Sequence, residues 1–277
     1  MLINELESYY RSIITQENLS AHYVRNLLKE QLHFYLLDFI YKHEIFRQSI
    51  FYGGTCLRHC FGLPRLSEDL DFEYLDKDFS FELLATDLVQ HFRSAHHYDE
   101  LVTKIQKCRL YLKFPLLKQL GIAMKGESDF LHVKIEVNIT SHKPNSFSTE
   151  IQPLSVMQRT FFVKRYDLPT LMASKINAVI NRSWRKQGKT VGASIDVKGR
   201  DYFDLIWYMQ KGVKPRLEFT QFNSEAALWK AIKDRVSLLK VGSIQNDLQD
   251  FLETRSDALD FTRNIQPAFA ALLQKYE

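Results

Sequence analysis

Two aspartates separated by one residue carry the sharpest chemical signal in this 277-residue chain: Asp69 and Asp71, in Ser67-Glu68-Asp69-Leu70-Asp71-Phe72. Alternate side chains of a strand share a face, so an Asp-x-Asp strand aims both carboxylates the same way. Like charges placed so close raise each other's pKa, and a divalent cation removes the conflict. Magnesium suits the pair, with manganese as its substitute. It takes one or two carboxylates and completes its shell with phosphate oxygens and water. Read alone, the motif more often describes a solvated acidic strand edge. Its context argues for more. Gly53-Gly54-Thr55 stands upstream, between a short strand and a helix. Glycines there let the backbone approach a triphosphate, and a helix N-terminus offers unpaired N–H groups. The plainer role of such a pair is a tight turn with positive φ.

Glu136 is the third acid. It stands on the polar face of 130–139, where Leu131, Val133, Ile135, Val137 and Ile139 form the opposite, apolar face. A third carboxylate beside a metal pair can help hold a second metal or take a proton from an attacking hydroxyl. It can also serve as a partner for Lys134 or His132.

Lys175 is misplaced in a different way. Leu168, Leu171, Met172, Ile176, Val179 and Ile180 make one apolar helical stripe, and Lys175 falls inside it. A lysine there needs an anion or a route to water. The anion is a bound phosphate or a neighbouring carboxylate. Arg182 lies in line with it, seven residues on. Asp201 and Asp204 lie in the first turn of their helix, where acids complement the dipole, and Asp201 could instead orient Lys175 or Arg182. The basic stretch 181–189, with Trp184 interleaved, suits a nucleic-acid backbone or a solvated loop.

The elements that must position these groups follow from periodicity. Helices are expected at 20–43, 55–61 and 79–95, and strands at 49–52, 69–74, 101–107, 109–114 and 130–139. A loop is expected at 118–129. After Pro144, Pro153 and Pro169 mark a linker region. Helices follow at 168–184, 200–211, 223–240, 244–254 and 267–276. The fold class is α+β, with a boundary near residue 150.

Composition sets the outer bounds. Hydrophobic residues make up 45% and charged residues 25%, ordinary globular usage that argues against disorder. The formal net charge of +4 permits an anionic partner without requiring one. Three cysteines do not make a disulfide framework. Cys56, His59 and Cys60 have helical spacing but lack a fourth zinc ligand, so they read as packing residues. The opening Met1-Leu2-Ile3-Asn4-Glu5 does not read as a signal peptide, and no run is long enough to span a membrane. A cytoplasmic protein is expected.

Gly53-Gly54-Thr55-Cys56-Leu57, followed by Gly62-Leu63-Pro64-Arg65-Leu66-Ser67-Glu68-Asp69-Leu70-Asp71-Phe72, resembles the opening motif of the AbiEii nucleotidyltransferase toxins, which belong to the DNA polymerase β-like superfamily. The resemblance continues through Lys134-Ile135-Glu136-Val137-Asn138, then Lys175 with Ala178 and Arg182, then Gly199-Arg200-Asp201-Tyr202-Phe203-Asp204. It implies a nucleotidyltransferase core over 1–150 and a helical domain over 151–277 closing the active-site cleft. It also implies the toxin half of a bacterial toxin–antitoxin pair, with roles in phage defence for some members. Nucleotides would pass from a nucleoside triphosphate to an acceptor, the tRNA 3′ end in a related mycobacterial group. Asp69 and Asp71 inherit metal binding. Gly53, Gly54, Thr55 and Ser67 inherit the triphosphate, with Lys175 and Arg182 as cations, and Lys175 and Asp201 are expected to be essential. Transfer to a protein or small molecule, and a catalytically inactive binding protein, are the rival readings.

Overall fold

Strand alternation and helical stripes resolve into the elements they imply. The computed structural model describes residues 2–15, 19–75, 78–140, 148–181 and 198–276. Helix α1 is Leu2–Ile13 and α2 is Ala21–Lys42, capped by Ser20, whose hydroxyl accepts from the Tyr23 N–H. Helix α2 buries Leu28, Leu32, Tyr35, Leu36 and Leu37 together with Asn26, Glu30 and His33. Burial on so many sides makes it a central helix. Strand β1 (Ile50–Tyr52) runs directly into α3 (Gly53–Phe61), which ends at Gly62 with φ +73°. Strand β2 (Asp69–Tyr74), α4 (Phe81–His96), β3 (Val102–Gln106), β4 (Arg109–Pro115) and β5 (Phe130–Ile139) follow.

The next segment corrects the expected linker. Residues 149–166 form a hairpin of β6 (Thr149–Val156) and β7 (Arg159–Tyr166). Its turn residues, Met157 and Gln158, both have positive φ (52° and 59°). A two-residue hairpin turn needs that backbone and usually advertises it with Asn or Gly. Pro153 is tolerated because β6 is the last strand of the sheet, where an edge position leaves no ladder bond for its missing N–H.

The sheet is mixed, in the order β3-β4-β5-β2-β1-β7-β6. Strands β2 and β5 pair in parallel, as do β1 and β7. One face carries Leu70, Phe72, Leu110, Leu112, Phe114, Val133, Ile135 and Val137, all buried. Phe114 meets Phe92 of α4 at 5.4 Å, and Phe72 meets Tyr41 of α2 at 6.4 Å, so both helices cover this face. The opposite face carries the charged residues of the site.

The chain divides into two compact units, Met1–Tyr166 and Asp167–Glu277. The second is helical: α5 (Leu168–Asn181), α6 (Gly199–Gln210), α7 (Glu225–Ser237), α8 (Val241–Leu248) and α9 (Arg255–Leu273). Pro267 was expected to open the last helix. It lies inside α9 instead. A Thr254–Asp257 capping box starts the helix far upstream. The buried stripe Ala258, Thr262, Ile265, Phe269 and Leu273 runs through the proline and holds both halves.

Candidate active site

Strand pairing brings the acids together. Asp69 pairs with Lys134 and Asp71 with Glu136 across the parallel β2–β5 register, and β4 sets Arg109 opposite Glu136. The side chains then close up. Lys134 Nζ lies 2.8 Å from Asp69 Oδ2 and 3.3 Å from Glu136 Oε2. Arg109 Nε lies 2.9 Å from Glu136 Oε2. Sequence spacing suggested Lys134 or His132 as the partner of Glu136. The cross-strand partner is Arg109, and Lys134 reaches along its own strand.

Burial pushes the Asp69 carboxyl above the ordinary range, even against the Lys134 ammonium. Glu136 shifts the other way. Burial alone would raise it, but Arg109 and Lys134 outweigh that and hold it low. Burial pulls Lys134 down, yet Asp69 and Glu136 win and raise it. Tyr52 faces Asp71 across β1–β2. Burial drives its phenol upward, and Asp71, Glu73 and Glu136 push further in the same direction.

The glycine turn is fitted to these acids. Gly53 has φ +80°, and a Cβ there would stand 2.4 Å from Asp71 Oδ2. A Cβ on Gly54 would stand 2.8 Å from Arg65 Nη2 and 3.0 Å from Ser67 Oγ. Both glycines thus serve close packing, and Gly53 also serves the backbone. Tyr52, at the N-cap of α3, supplies no side-chain cap, which leaves the helix start in the form that phosphates use.

The segment leading into β2 is fixed from behind. Arg65, buried, donates through Nη1 to the Leu66 carbonyl at 2.8 Å. Lys29 pairs with Glu68 at 3.3 Å. His33 Nε2 is 3.2 Å from the Glu68 carbonyl. Burial lowers the His33 pKa to about 3, so the ring is neutral and must carry its proton on Nε2 to make this contact. The buried Thr55 hydroxyl donates to the Asp69 carbonyl, tying α3 to β2. Cys56 is buried, and His59 packs on Phe34 at 4.4 Å and faces His33. Both are packing residues.

The donor set suits a hard divalent cation. Asp69 and Asp71 offer carboxylate oxygens on one face, and Asp69 already holds a cationic group through Lys134. Among the described residues no three His, Cys, Asp or Glu side chains converge as a ready cage. An ion held here would draw the rest of its shell from phosphate oxygens and water, as magnesium does.

In the second unit, Lys175 Nζ lies 2.9 Å from Asp201 Oδ1 and 2.8 Å from Asp204 Oδ2. The ammonium in the apolar stripe is thus met by carboxylates. Asp204 is fully buried and was read from the sequence only as a helix-start acid. Its signal was spacing: three residues after Asp201, it shares the same helix face. Gly199 has a packing reason, since a Cβ there would meet the Ile244 carbonyl of α8 at 2.6 Å. Arg200 binds Asp247 through its backbone N–H at 3.0 Å. Arg182 and the stretch around Trp184 lie outside the described residues.

Sequence reasoning offered Lys134 as a partner of Glu136, and that contact is present, but it missed the second contact of Lys134, with Asp69, and did not single out Arg109 or Arg65. The Lys134–Asp69 and Arg109–Glu136 pairs become visible only once the strand register is known.

Two solved structures from Helicobacter pylori share this fold. JHP933 is 17% identical, with a TM-score of 0.51 over 94% of this chain and 95% of that one. The second, provisionally described as a nucleotidyltransferase, is 16% identical, with a TM-score of 0.51 over 90% and 95%. Among curated proteins no significant relative is found. No helix among the described residues is long and apolar enough to cross a membrane. The family model described as "Nucleotidyl transferase AbiEii toxin, Type IV TA system" matches residues 35–275. That span holds the glycine turn, both aspartates, Glu136 and the Lys175 clamp, and the chain belongs to the AbiEii nucleotidyltransferase toxin family of type IV toxin–antitoxin systems.

Proposed function

We propose that this toxin is a magnesium-dependent enzyme of the bacterial cytoplasm that transfers a nucleotide from a nucleoside triphosphate to an RNA hydroxyl, the tRNA 3′ end being the preferred acceptor. Modification of tRNA would account for toxicity and for a part in phage defence, with a cognate antitoxin as partner. The observation that carries the reading is the packing of Asp71 against the Gly53 turn, with Asp69 on the same face. It supports a site where triphosphate and acids meet.

Asp69 and Asp71 would hold the metal, which would polarise the phosphates and offset their charge. Gly53, Gly54, Thr55 and Ser67 would seat the triphosphate through backbone N–H groups and the serine hydroxyl. The acceptor oxygen forms a bond to the α-phosphorus as the bond to the pyrophosphate oxygen breaks, and the acceptor proton leaves to a base or water. Glu136, held low by two cations, is a poor proton acceptor and is better suited to ordering Lys134 and Arg109. Lys175 and Asp201 are proposed as required for transfer, Asp201 by fixing the ammonium.

Incubation with each labelled nucleoside triphosphate and total cell extract tests the reading. Metal-dependent label in the RNA fraction is expected. Label in protein or small molecules would reassign the acceptor, and no turnover with any nucleotide would leave a binding protein.

A further inference from the structure

Lys134 already pairs with one of the two carboxylates proposed to hold the divalent cation, Asp69. Its ammonium bridges Asp69 Oδ2 at 2.8 Å and Glu136 Oε2 at 3.3 Å. The bridge is built into the sheet, because the β2–β5 register places Lys134 beside Asp69 and Asp71 beside Glu136. Arg109 supplies the useful contrast. It also contacts Glu136, at 2.9 Å, from the other neighbouring strand. Arg109 and Lys134 thus each add one positive charge to the same face, and Lys134 also pairs with a proposed metal ligand, Asp69.

We propose that Lys134 is a positioning residue: a resident counter-cation that competes with the free divalent ion for Asp69 and yields it when the ion arrives with a triphosphate. The inference rests on the metal role of Asp69 and Asp71 proposed above. A bare ion must displace the ammonium with two carboxylates alone. A metal–triphosphate complex brings phosphate oxygens as additional ligands and the glycine turn as an additional anchor. The displaced ammonium stays within reach of Glu136 through their existing contact. Metal occupancy would then follow nucleotide occupancy.

The test is Mn²⁺ binding to the full-length protein without nucleotide, followed by electron paramagnetic resonance of the free ion. Thermal melting confirms that each variant is folded. Lys134→Met should bind Mn²⁺ about fivefold more tightly than the natural protein, the scale of one partly exposed ion pair. Lys134→Arg and Arg109→Met should bind as the natural protein does, and adding a non-hydrolysable nucleoside triphosphate should shrink the advantage of Lys134→Met. A merely structural lysine would give unchanged or weaker binding on removal. That result, in a protein whose binding is lost on Asp69→Asn with Asp71→Asn, overturns the competition and leaves the metal reading standing. Equal tightening by Arg109→Met also overturns it, because the effect is then net charge. Absence of Mn²⁺ binding in every protein overturns both.

Discussion

Two lysines of this chain each sit between two carboxylates, and their surroundings differ. Lys134 bridges Asp69 and Glu136 on an open sheet face, where the acids remain 33% and 27% exposed. Lys175 bridges Asp201 and Asp204 in a helical core, where the acids are 7% and 0% exposed. A half-exposed ion pair is screened and exchangeable, so another cation can replace its ammonium. A buried one is locked, because each charge left behind would lie unpaired in a poor solvent. The difference suits the first cluster to exchange, as proposed, and the second to holding a lysine still.

The largest expected effect on stability is in the buried cluster. Lys175→Ala should cost about 3–5 kcal/mol in a denaturant titration, the usual loss on removing one partner of a buried ion pair. A loss below about 1 kcal/mol would show that the two lysines are energetically alike.

Gly53→Ala comes next. The substitution forces φ +80° on an alanine and drives its Cβ into Asp71 Oδ2. A cost of about 1–3 kcal/mol is expected, together with a sharp fall in transfer. Gly54→Ala meets the ends of the Arg65 and Ser67 side chains instead and should cost less. Equal costs would mean that Asp71 can move away freely.

An acid limb should follow from His33, which stands behind the open cluster. Its pKa is lowered by burial to about 3, so the unfolded chain binds this proton near pH 6.5 while the folded chain does not. Stability is therefore full above pH 6.5 and falls as pH drops from there toward 3. At pH 5.5 the loss from His33 is about 1.4 kcal/mol, and burial of His59, also lowered, deepens it. Flat stability from pH 7 to 5 would contradict the buried neutral pair.

The smallest effect belongs to Lys134→Met, expected to change stability by no more than about 1 kcal/mol. A larger loss would move Lys134 into the same class as Lys175.

Much of this is legible in the sequence. Strict alternation in Asp69-Leu70-Asp71-Phe72-Glu73-Tyr74 gave β2 to the residue, and the interrupted stripe at Lys175 marked its need for an anion. The β6–β7 hairpin was hidden because Met157 and Gln158 adopt left-handed backbone without the residues that usually announce it. The contact of Lys134 with Asp69 and that of Arg109 with Glu136 were hidden for another reason. Periodicity reports which face a side chain takes but not which strand lies alongside, and β2 and β5 are separated by more than fifty residues of chain. Asp204 was visible but ambiguous, since an acid in a helix's first turns already has a sufficient explanation.

Metal binding by Asp69 and Asp71 is tested by the single-turnover rate of label transfer to RNA from a nucleoside triphosphate, with and without Mg²⁺, for the natural protein and for Asp69→Asn combined with Asp71→Asn. Transfer should require the ion and fall by about a thousandfold in the variant, with its melting temperature essentially kept. Transfer at the natural rate in the folded variant would show that the two aspartates are not the metal ligands.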